Sequence, residues 1–345
     1  MHQNITYEAF CNILLLHFRH VLLHTHTCHV LPLAYIAFRY SNTGYSLHFF
    51  TTKYCNHMST PTQQFHFNGQ ITSLHIEHLK QHGIIHFKQF ISYHTVKEFL
   101  YEIYQVEQHL LNKGIQQVNG IPLKFGYNVD GAPLIQRIAF ASLFSSTLSN
   151  FLKSDQVQEL TKLLTPYEGR IGELEKDGLV VNHYLNTSDS SFTRLGWHTD
   201  SPRDLFLGSR IKPMLNVGLH LDDCPQSNGG LRVLPGTHNK GFFTLFFKKK
   251  YFIDHEPDQN EVGLDIQAGD LTIHDGRLWH RVQQSPYIGE KSRRRVMYIP
   301  VITGAYQPKT ADSKTPLYHR LASLVFKKQA KKKVPQYEPQ LNPTI

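Results

Sequence analysis

From about residue 166 onward the apolar residues of this chain stop recurring at helical intervals and fall into short runs broken by turn residues. Met214 to Leu221 alternates, with Leu215, Val217, Leu219 and Leu221 on one face, as a half-buried strand requires. Leu179 to Leu185, Leu231 to Leu234, Leu264 to Gln267, Leu271 to His274 and Arg294 to Val301 read as further short strands. Gly229-Gly230, Pro235-Gly236 and Gly269-Asp270 punctuate them. Upstream the period is helical. Leu74, Ile76 and Leu79 mark a helix over Ile71 to Gln81 stopped by Gly83, and Ile84 to Phe87 is a short strand. Thr95 and Glu98 form a capping-box pattern for a helix from Val96 to Lys113, with Phe99, Ile103, Val106 and Leu110 buried and Gly114 as its stop. Ser154 to Leu164 is another helix, ended near Pro166. Helices first and many short strands afterwards predict a mainly β fold with flanking α-helices, a double-stranded β-helix or jelly roll of the cupin-like kind.

The formal charge of +9 is mainly an end effect. Residues 1–57 carry Arg19, Arg39 and Lys53 against Glu8. Residues 314–345 carry Lys314, Arg320, Lys327, Lys328, Lys331, Lys332 and Lys333 against Glu338. The middle is near neutral, which argues against a nucleic-acid partner. Residues 1–57 also hold eight of the 23 histidines together with Cys11, Cys28 and Cys55. They are expected to be an unstructured extension, or an artefact of a start assigned upstream of Met58. Residues 58–326 then form one domain and 327–345 a basic tail. Cys224 stands alone in the main body, so a reducing, cytoplasmic setting is expected. The apolar runs of the N-terminal segment are too short to span a bilayer.

Chemistry concentrates in Gly196-Trp197-His198-Thr199-Asp200. A His and an Asp two apart on a strand share a face. A second His from a distant segment, such as His280 in Leu278-Trp279-His280, makes a two-His, one-carboxylate set, which suits non-haem Fe(II) and leaves positions open. The pattern continues through Asn228-Gly229-Gly230-Leu231-Arg232-Val233-Leu234-Pro235-Gly236-Thr237-His238, then Gly269-Asp270-Leu271, then Leu278-Trp279-His280, then Arg293-Arg294-Arg295.

In order and spacing, residues 70–305 resemble the phytanoyl-CoA dioxygenase family of Fe(II)- and 2-oxoglutarate-dependent oxygenases. The resemblance implies Fe(2+), 2-oxoglutarate and O2 as cofactor and cosubstrates. It implies His198, Asp200 and His280 as metal ligands, with His274 as the competitor for the third place. A basic residue on the last strand is then expected to hold the distal carboxylate of 2-oxoglutarate. Arg294 aligns best; Arg293 and Arg295, which face the other way, remain the alternatives. Asn182 and Thr199 are further candidate contacts to the cosubstrate, with Tyr184 beside Asn182. Where the family often has a polar residue two after the distal His, this chain has Val282. Gly229, Gly230 and Gly236 are read as backbone turn positions.

The expected activity is hydroxylation of a small organic molecule with release of succinate and CO2, by a monomer or homodimer. Asp200 occupies the place that a halide-transferring relative leaves vacant. Leu123 to Phe144, with Tyr127, Asp130, Gln136 and Arg137, is expected to form a wall or lid of the substrate pocket. Ser201 to Gly208 is expected to be a flexible loop beside the metal. Phe242, Phe243, Phe246 and Phe247 are expected at a buried edge next to a solvated Lys248-Lys249-Lys250 turn, or else facing an acidic or acyl substrate. The rival readings are a catalytically silent jelly roll that binds a small ligand, a nucleic-acid module using the terminal lysines, and a zinc hydrolase. The last is disfavoured because no His-Glu-x-x-His helix is present.

Overall fold

The computed structural model describes residues 35–41, 44–50, 59–188, 190, 192–206, 210–316 and 319. The chain divides into two compact units, Met1–Ser59 and Thr60–Ile345. In the first, β1 (Tyr35–Ser41) pairs antiparallel with β2 (Gly44–Phe50). The other residues expected to be an extension, Cys11, Cys28 and Cys55 included, lie outside the described residues, as does the basic tail.

In chain order the second unit contributes β3 (Gln64–His66), β4 (Ile84–Lys88), β5 (Gln117–Val118), β6 (Ile121–Pro122), β7 (Lys124–Tyr127), β8 (Pro133–Ile138) and β9 (Gly169–Ile171). There follow β10 (Val180–Tyr184), β11 (Leu195–His198), β12 (Met214–His220), β13 (Gly230–Val233), β14 (Val262–Gly263), β15 (Leu271–Asp275), β16 (His280–Gln283) and β17 (Arg294–Thr303). A large sheet runs β3-β4-β15-β12-β17-β10-β8-β7, with β9 also on β17. A smaller one runs β11-β16-β13-β14. Apart from the parallel β3–β4 pair, the ladders of these two sheets are antiparallel. This is the two-sheet, helix-flanked architecture that the alternating runs predict.

One face of the large sheet is the hydrophobic core. Leu215, Val217, Leu219 and Leu221 join Ile273, Met297, Ile299 and Val301 there. Against them pack Val96, Phe99, Ile103, Val106 and Leu110 from one helix and Leu148, Phe151 and Leu152 from another. The opposite face looks toward the smaller sheet and carries the polar residues, Asn216 and His220 among them.

Several boundaries differ from expectation for local reasons. The long helix is Tyr93–Asn112, and its N-cap is Ser92, whose hydroxyl accepts from the Thr95 amide; the Thr95–Glu98 pair therefore lies inside the helix. Ser92 offers the same hydroxyl cap one turn earlier, and Tyr93, its first helical residue, is exposed, so no apolar signal marked it. Ser154 to Leu164 is an α-turn, Asp155–Glu159, tightening into a 3-10 helix, Leu160–Leu164. Leu264 to Gln267 is no ladder strand: Ile266 makes one bridge with Cys224, and the paired residues are Val262 and Gly263. The helix Ser146–Lys153 and the β7–β8 pair were not separable by period.

The first helix, Ser73–His82, ends at Gly83 in the left-handed region, as expected. Its buried face is largely histidine. Leu74 is exposed, and His75, His78 and His82 are buried beside Leu79. The His78 ring stands edge-on to Phe65 at 4.9 Å, and neither of its nitrogens has a hydrogen-bond partner. Burial, with His82 and His75 adjacent, lowers its pKa to about 4. An unfolded histidine protonates near 6.5, so acid favours the unfolded chain between about pH 6.5 and 4, and the whole penalty is present below that window. Denaturant melts at pH 7 and pH 5 should show a loss at the lower pH. In His78→Leu that loss should shrink by on the order of 2 kcal/mol.

Candidate metal centre

Two ladder positions build the centre. His198 ends β11, His280 begins β16, and the two are direct partners across the antiparallel pair. Residues opposite each other in a ladder share a face, so both imidazoles project into the space between the sheets; their ring centroids are 4.1 Å apart. Asp200 follows two residues after His198. The Asp200 and Ser201 amides both donate to the Gly276 carbonyl, at 2.7 and 2.8 Å. One ligand atom from each of His198, Asp200 and His280 lies within 4.8 Å of the others, and all three residues are buried.

The proton positions suit a cation. His198 Nδ1 donates to the Gly196 carbonyl at 2.8 Å, and His280 Nδ1 donates to the Leu278 carbonyl at 2.9 Å. Each ring therefore keeps its Nε2 lone pair free to point at a metal. Burial lowers the His198 pKa to about 4 and holds His280 well below its ordinary value, so both rings are neutral at physiological pH. Burial opposes the Asp200 charge, yet Arg203, a hydrogen bond from His274 and the neighbouring imidazoles hold the carboxyl well below its usual range. Two neutral imidazoles and one carboxylate, clustered and buried, fit Fe(II) with open positions.

Residues without a motif of their own orient Asp200. Asn216 Nδ2 donates to Oδ2 at 3.0 Å and Arg203 Nη2 to Oδ1 at 3.1 Å. His274 Nε2 donates to Oδ2 at 3.3 Å, so the competitor histidine braces the carboxylate, while His280 takes the place facing His198. The Pro235-Gly236-Thr237-His238 turn anchors the other end. Thr237 Oγ1 accepts from the Trp279 amide at 3.1 Å, and His238 Nε2 donates to the Lys80 carbonyl at 3.1 Å. Gly269-Asp270 is likewise structural: buried Asp270 accepts from His86, Lys88 and the Gln89 amide, tying β15 to β4.

A cavity opens between the sheets, lined by Tyr184, His220, Cys224, Val282, Arg294 and Tyr298 among others. Of the three consecutive arginines, Arg293 pairs with Glu290 and Arg295 with Asp222. Arg294 is buried; Nη1 and Nη2 donate to the Gln283 and Thr193 carbonyls, and Nε has no partner. No carboxylate pairs with it among the described residues. Asn182 is buried on β10, donating to the Tyr184 hydroxyl at 3.3 Å, and its Oδ1 is unpartnered. Thr199 is buried with its hydroxyl bonded to that of Tyr251. Val282 lines the cavity with no hydroxyl to offer. Gly229, Gly230 and Gly236 have φ of +80°, +86° and +75°, the turn geometry expected of them; at Gly230 a Cβ would lie 2.5 Å from Cys224 Sγ, at the cavity wall.

Two expectations need correction. Ser201 to Gly208 is not loose through its first half. Arg203–Phe206 is a helical turn, and fully buried Asp204 accepts from Lys176, the Lys212 amide and Tyr306; residues 207–209 lie outside the described residues. In the helix Phe242–Phe247, Leu245 is buried, whereas Phe243 and Phe247 are exposed.

The family model described as phytanoyl-CoA dioxygenase matches residues 79–286, more than half the chain and all three clustered side chains. The chain belongs to the phytanoyl-CoA dioxygenase family. No curated protein matches it significantly. Among solved structures, the non-haem α-ketoglutarate-dependent carbocyclase SnoK from nogalamycin biosynthesis is 12% identical over 78% of this chain and 95% of its own, with a TM-score of 0.50. The epimerase SnoN, in complex with Fe3+, α-ketoglutarate and a nogalamycin compound, is 18% identical over 68% and 84%, with a TM-score of 0.48. HygX from Streptomyces hygroscopicus, with nickel and 2-oxoglutarate bound, is 14% identical over 69% and 89%, with a TM-score of 0.49. At such identities the likeness is one of fold. No described helix is long and apolar enough to cross a membrane.

The Thr237–Trp279 bond holds the residue just before His280. Thr237→Val, which keeps the shape and removes the acceptor, should cost about 1–2 kcal/mol in urea denaturation.

Proposed function

We propose that this protein is an Fe(II)- and 2-oxoglutarate-dependent dioxygenase that hydroxylates a small organic substrate. The observation that carries the reading is the buried convergence of His198, Asp200 and His280 with both imidazole Nε2 atoms free. In this reading those three residues hold the iron. Arg294, a buried guanidinium with no carboxylate of its own among the described residues, binds the distal carboxylate of 2-oxoglutarate through a planar pair of donors. Bound iron and cosubstrate supply the oxidation: a substrate C–H bond, O2 and 2-oxoglutarate become C–OH, succinate and CO2.

The remaining work belongs to the chain. Asn216, His274 and Arg203 keep Asp200 ionised and fixed in direction. The Gly196 and Leu278 carbonyls hold the imidazole tautomers. Leu231, Ile266, Val282 and Val296 line the cosubstrate cavity with apolar surface and limit water there. The carboxylate of Asp200 fills the position that halide transfer would need, which favours hydroxylation.

The test is iron-dependent succinate release from 2-oxoglutarate. His198→Ala, Asp200→Ala and His280→Ala should each lower it by at least about 100-fold, and full turnover in any of them refutes the assignment. Arg294→Ala should raise the KM for 2-oxoglutarate by about 10- to 100-fold, with Arg294→Lys in between. Protein that binds Fe(II) and 2-oxoglutarate but releases no succinate with any substrate offered would instead support the silent ligand-binding reading.

A further inference from the structure

The interior face of the large sheet carries a second cationic group, away from Arg294. Lys124 on β7 is the ladder partner of Arg137 on β8, and Arg137 is the partner of Asn182 on β10. Partners share a face. Asn182 alternates with Val181, which lies in the helix-covered core, and stands two residues from Tyr184, which lines the cavity. The register irregularity beside Lys124 lets both Ile135 and Ile138 enter the core and turns Arg137 inward.

Two like charges directly opposite each other on adjacent strands destabilise a sheet. Here the carboxylate that Arg137 touches is Asp177, at 2.8 Å, and Asp177 also accepts from Arg203 and His319. Arg137 Nη1 is buried without a hydrogen-bond partner, and so is Asn182 Oδ1. Burial, reinforced by the Arg137 charge, pushes the Lys124 ammonium down to about 7. Its nitrogen lies 4.1 Å from the centre of the Phe192 ring; Phe192 stacks on Tyr184 at 4.7 Å, and Arg294 lies 5.5 Å from the Tyr184 centre. A run of contacts thus leads from the cosubstrate cation to the second pair. Through Arg203, which bridges Asp177 and Asp200, the pair also stands two side chains from the metal centre.

We propose that Lys124 and Arg137 form an anion-binding subsite for the substrate, with a carboxylate or phosphate of the substrate seated between ammonium and guanidinium. Its role as a substrate anchor rests on the iron-dependent reading above, and the anion site itself is tested without it. The substrate is therefore an acid, held by its charge to one side of the oxidising centre. Asn182 Oδ1 accepts a neighbouring hydroxyl or amide of the same molecule.

The probe is pyridoxal 5′-phosphate, an aldehyde bearing a phosphate. A lysine amine condenses with the aldehyde carbon and releases water; borohydride then delivers hydride to the C=N bond, and peptide mass mapping locates the label. On the full chain at pH 7, Lys124 should label at least roughly fivefold above the exposed lysines, because more of it is unprotonated and a guanidinium sits beside it. Pyridoxal, which lacks the phosphate, should label Lys124 far less. Inorganic phosphate and hexanoate should each be tried as protectants: protection by one alone names the anion, and protection by both supports the shared chemistry. Arg137→Gln should lower the labelling, and the wild-type protection result decides should that variant fail to fold. Equal labelling by pyridoxal, no preference for Lys124, or no protection by either anion overturns the proposal. The reaction needs neither iron nor turnover, so such a result would leave the succinate measurements standing.

Discussion

The antiparallel pairing of β11 with β16 is the constraint on which the rest depends. It sets His198 opposite His280, residues more than eighty positions apart in the chain, and a cross-strand pair is held far more rigidly than side chains on two loops. Everything around that pair serves its register. The Gly276 carbonyl receives the amides of Asp200 and Ser201, and the Thr237 hydroxyl receives that of Trp279. Buried Trp197 and Trp279, each one residue before a clustered histidine, fill the space behind the ladder with Leu234. A slip of one strand by one residue would send its histidine to the opposite face, away from the other.

The electrostatics follow from burial. Three side chains that can ligate a cation sit out of water, so the imidazoles are neutral, while Asp200 stays charged because Arg203, His274 and Asn216 surround it. The same logic separates the three consecutive arginines at the start of β17. Arg293 and Arg295 have their own carboxylates, and Arg294 has backbone carbonyls and an open cavity. A buried guanidinium without an anion is costly, and in the proposed function a dicarboxylate cosubstrate would relieve that cost.

What could be read from the sequence was what is periodic or closely spaced. Alternation from Met214 onward revealed the central strand and its core face, and Gly83 marked a helix end. The His-x-Asp spacing, with His280 after the Gly269-Asp270 strand, pointed to residues that the fold brings together. What could not be read depended on contacts between distant segments. Nothing near Asn216, His274 or Arg203 announces that they meet at Asp200. Ser92 rather than Thr95 caps the long helix, because the first exposed turn carries no apolar signal. Histidines replace aliphatic residues on the Ser73–His82 helix, so its polar-looking side is the one that packs on Phe65. Ser201 to Gly208 reads as a flexible loop, and nothing within it shows that Asp204 is buried against a distant Lys176.

Asp177 gives the architecture one more property. A single carboxylate gathers Arg137 from β8, Arg203 from beside the clustered His198 and Asp200, and His319 from near the end of the described chain. It acts as a knot between these three stretches. Shortening the polypeptide ahead of position 319 would therefore loosen one strand of that knot, and the slack would be felt through Arg203 at the very carboxylate that faces the paired histidines.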